Sequence, residues 1–105
     1  MDGKRLREIF QTQFDRCLKV TFKKSSIYAE KEDRLSNFYR AGDLNKEEPE
    51  KALWGMASKH VIALADFIND LNNGVIKPRE EWEEKITDII NYLVLLKALL
   101  EERGI

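Results

Sequence analysis

The stretch from Lys77 to Gly104, KPREEWEEKITDIINYLVLLKALLEERG, constrains this chain more than any other. Trp82, Ile86, Ile89, Ile90, Leu93 and Leu96 recur at helical spacing, Pro78 suits a first helical position, and Gly104 can stop the helix. A helix this apolar must bury a face against other helices. Glu84, Asp88 and Asn91 follow one another at intervals of four and three, so they project to one side at the edge of the apolar stripe. That edge suits a divalent metal or a phosphate-bearing ligand. It equally suits charged side chains that only face water.

The helix that would pack against it lies just upstream. Ala52, Leu53, Met56, Ala57, His60, Val61, Leu64, Phe67, Ile68 and Leu71 run at three- and four-residue intervals, and Asn72, Asn73 and Gly74 end the run. Gly42 to Asn45 reads as a linker, with Asn45 and Glu48 spaced for a capping box and Pro49 tolerated in the first turn. Residues 2 to about 22 form a first amphipathic helix through Leu6, Ile9, Phe10, Phe14, Cys17 and Leu18. Between them, Ile27 to Ala41 forms one helix or two short ones. The spacing therefore predicts three or four helices, no strand, and one domain over residues 1–105: an all-α fold, a small antiparallel helical bundle. The stripes of the last two helices are broad enough that a second copy is expected to cover them, as a homo-oligomer.

Composition narrows the partners. Lys and Arg number 18 against 19 Asp and Glu, a net charge of −1, so no basic field favours nucleic acid. Cys17 is the only cysteine, which rules out an intrachain disulfide and fits a reducing, cytoplasmic setting. No run approaches the roughly 20 apolar residues that span a bilayer, so no membrane partner is expected.

Glu84 and Asp88 are the strongest local pair of acids, of the oxygen-ligand type that suits Mg²⁺ or Mn²⁺. Asp66 is the natural third acid, on the side of its helix shared with Lys59, Ala63 and Asp70. His60 continues the apolar spacing and reads either as a border histidine of the core or as a ligand. Lys59 fits a phosphate contact or an ordinary surface ion pair, and Trp54 and Trp82 fit packing before stacking on a base. Neither GxGxxG nor GxxxxGK[ST] occurs.

The runs KKSSIYAEKEDRLSNF, KALWGMASKHVIALADFI and EWEEKITDIINYLVLLKALLEE together resemble the small, largely phage-borne branch of MazG-like proteins, in the all-α nucleoside triphosphate pyrophosphohydrolase superfamily. The resemblance covers roughly residues 20–102. It rests on Lys24, Tyr28, Asp33, Asn37 and Phe38, on Lys59, His60 and Asp66, and on Glu84, Asp88, Asn91 and Tyr92. It implies a dimeric or tetrameric helical core, Mg²⁺ held by acids from two adjacent helices, and hydrolysis between the α and β phosphorus atoms of a nucleotide. Asp88 matches the last residue of the superfamily's ExxD motif, but Lys85 stands where the glutamate belongs and the acid is Glu84, one residue earlier. The EExxE motif departs further, with Lys59, His60 and Ala63 at its three acidic positions.

Two readings follow. In the first the chain is a divergent metal-dependent pyrophosphohydrolase: Glu84, Asp88 and Asp66 hold Mg²⁺ or Mn²⁺, His60 positions a water, and Lys24, Lys59, Asn37, Asn91 and Tyr92 contact the nucleotide. In the second it is a noncatalytic nucleotide-binding module, or one that engages a host or phage protein, because a lysine and a histidine weaken the field for a cation.

Overall fold

The computed structural model describes residues 1–23 and 32–105. Lys24 and Tyr28 lie outside the described residues, so their expected roles rest on sequence alone. Among the described residues there are four helices and no strand: α1 (Gly3–Thr21), α2 (Ser36–Asn45), α3 (Pro49–Asn72) and α4 (Arg79–Glu102). No helix among the described residues is long and apolar enough to cross a membrane. The contacts divide the chain into two compact units, Met1–Asp33 and Arg34–Ile105.

In the first unit, Asp2 caps α1 by accepting a 2.8 Å hydrogen bond from the Arg5 amide, a type of cap worth about 1 kcal/mol. The predicted stripe is present, but only Cys17 is buried on it. Phe10 and Phe14 are 54% and 51% exposed, their ring centroids 6.1 Å apart.

In the second unit, α2 packs on α3 and α3 on α4. Leu35 and Phe38, Leu53 and Ala57, and Leu99 form the core, with Met56, Tyr92, Leu95, Leu96 and Ala98 packed around it. The α3 and α4 helices run antiparallel: His60 faces Asp88, Phe67 faces Trp82, and Asp70 faces Lys77 just before α4. Each step forward along α3 is matched by a step back along α4.

Three helix ends close in the same way, with a residue in the left-handed region and two amides folded back onto the last turn. After α3, Gly74 (φ 83°) donates to the Leu71 carbonyl at 3.1 Å and Val75 to Asp70 at 2.8 Å. After α4, Gly104 (φ 88°) donates to Glu101 at 3.0 Å and Ile105 to Leu100 at 2.9 Å. After α2 the left-handed position is taken by Lys46 (φ 57°), with Lys46 donating to Asp43 at 3.3 Å and Glu47 to Gly42 at 2.9 Å.

This turn corrects the linker read from composition. Gly42 to Asn45 are the last residues of α2, and no side chain at Glu48 or Asn45 caps α3. Asn45 is taken up by the preceding helix, and the Glu48 carboxylate instead accepts from Arg103 at 2.7 Å. Gly42 is required for a reason periodicity cannot convey, since a Cβ there would lie 2.6 Å from the Glu47 carbonyl oxygen. Pro49 does open α3, and Pro78 stands one position before α4 as its N-cap.

Arg103 joins the two ends of this unit. Its guanidinium donates to both oxygens of Glu50 and to Glu48, while the Tyr39 hydroxyl donates to Glu102 at 2.9 Å. Hydrogen bonds from Arg103 hold the Glu50 carboxyl below the usual range, against a smaller upward push from burial. The bond to Glu102 pushes the Tyr39 phenol upward.

Candidate functional site

His60 lies one turn beyond Ala57 on α3, so the apolar spacing that buries Ala57 carries the imidazole to the seam with α4. On the facing helix Asp88 and Tyr92 are one turn apart. The His60 Nδ1 atom lies 3.4 Å from Asp88 Oδ2, and the Tyr92 ring centroid is 5.2 Å from that of His60. Both His60 and Asp88 side chains are 27% exposed. Nδ1 itself is fully buried and has no hydrogen-bond partner, the approach to Asp88 being close but not aligned for one. A buried imidazole nitrogen beside a carboxylate, without a formed bond, is the polar feature of this seam that packing does not explain.

The remaining sequence-predicted residues divide by position. Glu84 is exposed one turn before Asp88, Asn91 is half-buried less than one turn after it, and Lys59 is exposed beside His60. These accompany the pair. Asn37 is exposed near the start of α2. Asp66 goes elsewhere: six residues past His60, about 9 Å along the helix axis at 1.5 Å per residue, it lines a cleft of about 420 Å³ with Ala63, Phe67, Asn69, Asp70 and Lys77. Lys77 lies 5.6 Å above the Phe67 ring and 3.9 Å from Asp70, and Trp82 meets Phe67 edge-on at 5.5 Å.

Glu84, Asp88 and Asp66 therefore do not converge within one chain. No group of three or more His, Cys, Asp or Glu side chains among the described residues is placed to hold a metal. Magnesium does not require such a cage, because it is commonly bound through one or two carboxylates, with waters and substrate phosphates completing its shell. Glu84 and Asp88, an exposed and a half-buried carboxylate one turn apart, fit that donor set.

The sequence places His60 and Asp88 in one candidate site, as water-positioning and metal-holding residues, but gives no sign of their direct approach. Sequence reasoning also passed over Phe67 and Lys77, and the signal available was an aromatic and a lysine on either side of the Asn72 to Gly74 turn. Comparison with family models, with curated proteins and with solved structures gives no significant match to this chain.

Proposed function

We propose that the chain is a divergent nucleoside triphosphate pyrophosphohydrolase whose reaction centre is the His60 and Asp88 pair on the seam between α3 and α4. The observation that carries this reading is the 3.4 Å approach of Asp88 to the buried Nδ1 of His60. A carboxylate facing one ring nitrogen orients the imidazole, which leaves the other nitrogen to take a proton from water. The water oxygen bonds to the α phosphorus while the bond from that phosphorus to the bridging oxygen breaks, releasing nucleoside monophosphate and pyrophosphate. Lys59, beside His60 and exposed, supplies positive charge for the phosphates, and Asn91 and Tyr92 supply polar contacts to sugar or base. Glu84 and Asp88 would hold Mg²⁺ or Mn²⁺, which supplies charge neutralisation on the phosphate oxygens.

A second reading has its own support. Lys59, His60 and Ala63 occupy the three positions where the resembled superfamily carries acids, and this favours a module that binds nucleotide or a protein partner without turnover. A turnover screen of the purified chain separates the two. Ribo- and deoxyribonucleoside triphosphates are each incubated with Mg²⁺ or Mn²⁺, and monophosphate and pyrophosphate are both quantified, with Asp88→Asn as the control for contaminating hydrolases. Matched product formation that is lost in the folded variant supports the enzyme. Nucleotide binding by calorimetry without products supports the module, and neither result moves the weight to a protein partner.

A further inference from the structure

The cleft of about 420 Å³ beside the turn between α3 and α4 takes no part in the proposed chemistry at His60 and Asp88. It lies on the same seam. Phe67 follows His60 by seven residues, close to two full turns, so both side chains leave α3 on one side, about 10.5 Å apart along its axis at 1.5 Å per residue. Ala63 stands between them and also lines the cleft, with nothing beyond its Cβ to obstruct the path. On α4, Trp82 precedes Asp88 by six residues and meets Phe67 edge-on. A ligand whose phosphate lies at His60 can therefore run along the seam and end on Phe67.

Lys77 shows what the end of that path accepts. Its ammonium lies 5.6 Å over the Phe67 ring and 3.9 Å from Asp70, so a group rich in N–H donors already occupies the space beside an aromatic face and a carboxylate. The chain holds it loosely. The Lys77 and Asp70 side chains are 37% and 39% exposed, and an ion pair that open to water adds little to stability. A ligand that lays a flat ring on Phe67 and turns two N–H groups to Asp70 makes fuller use of the same space.

We infer that this cleft is the base subsite of the nucleotide site proposed above, and that it selects guanine. The inference rests on that reading, whether the nucleotide is turned over or only held. Guanine fits because its N1–H and its exocyclic amino group lie side by side on one edge and donate in parallel to the two oxygens of one carboxylate, here Asp70. Adenine and cytosine set a ring nitrogen with a lone pair beside their amino group, and an ionised carboxylate repels it. Uracil and thymine offer one N–H between two carbonyl oxygens. The guanine ring lies on Phe67 in the place of the Lys77 ammonium, which swings toward solvent. This placement narrows Asn91 and Tyr92, on the other side of Asp88, to the sugar.

Calorimetric binding of the full chain to α,β-imido nucleoside triphosphates in Mg²⁺ tests this, because these analogues are not cleaved between the α and β phosphorus atoms. The guanosine analogue is expected to bind about tenfold more tightly than the inosine analogue, which lacks only the exocyclic amino group. Asp70→Asn, which replaces one acceptor by a donor, should remove most of that difference. Phe67→Ala should weaken every analogue about tenfold by removing the stacking surface, and Lys77→Ala should tighten the guanosine analogue by clearing the ring. If Phe67→Ala fails to fold by far-UV circular dichroism, the Asp70 and Lys77 variants, at partly exposed positions, decide the matter. Equal binding of all bases, or a guanosine preference undiminished in Asp70→Asn, overturns the base subsite and leaves the nucleotide reading standing. No binding of any analogue overturns the nucleotide reading and the subsite with it.

Discussion

Two places where α4 meets α3 through charged groups are built differently. At the end of α4, Arg103 is engaged by Glu48 and Glu50 with well-formed hydrogen bonds, and Glu102 accepts from Tyr39. In the middle, His60 and Asp88 are side by side without such a bond, and the buried Nδ1 is left unsatisfied. A satisfied pair at the rim holds helices in register. An unsatisfied one within a seam is a cost to folding that suggests a role in binding or chemistry. The first should therefore respond to mutation in stability, the second in activity.

The largest effect expected is on the second. Asp88→Asn keeps the shape of the side chain but removes its charge, and should lower pyrophosphate release by about 10²–10⁴-fold with little change in thermal midpoint. A matching loss of Tm and activity would make the pair structural and erase the contrast. Gly42→Ala should do the reverse. Its Cβ would press on the Glu47 carbonyl at 2.6 Å, costing about 1–3 kcal/mol in chemical denaturation while leaving turnover per folded molecule unchanged.

At the same turn Lys46→Gly relieves a left-handed backbone that the equivalent positions of α3 and α4 give to glycine. It should stabilise the chain by about 1 kcal/mol in the same denaturation series. No gain would mean that the Lys46 side chain contributes as much as its backbone costs.

The smallest effect expected is the pH dependence of the Arg103 end. Glu50 is held below its unfolded value, so its contribution is present above the ordinary carboxylate range and is lost as pH falls through the lower, folded value. Thermal midpoints followed downward from about pH 5, just above the ordinary glutamate value of about 4.3, should fall less steeply in Glu50→Gln than in the unaltered chain. Parallel curves would show that the clamp adds nothing. Arg103→Met should flatten the same curve and lower the midpoint at neutral pH.

Much of this fold was legible as local pattern. The apolar periodicity of α3, the glycines at 74 and 104, and the end of α1 near Phe22 were each marked by residue types whose backbone preferences act over one turn. The α2 end was not legible, because Gly42 suggests a break by composition and in fact permits a close approach between helix and turn. The α4 stripe was found but its direction was not. Ile86 and Leu93 lie on the predicted stripe and are open, while Leu99, which was not placed on it, is among the most deeply buried side chains. A helix that is apolar on both sides has no pattern that says which side its own chain will use.

The candidate site divides in the same way. Residue types and spacing were enough to name His60, Asp88 and Glu84, because side chains one turn apart on a helix share a face whatever lies opposite, whereas Tyr92 entered only through the resemblance. By itself the sequence determined an all-α chain, where three of its helices end, and which polar residues border apolar stripes, all consequences of backbone geometry repeating every 3.6 residues. Only the tertiary structure decided that Asp88 belongs with His60 and Asp66 with Lys77. The antiparallel register of α3 on α4 makes those pairs, and register is set by how side chains distant in sequence fit together.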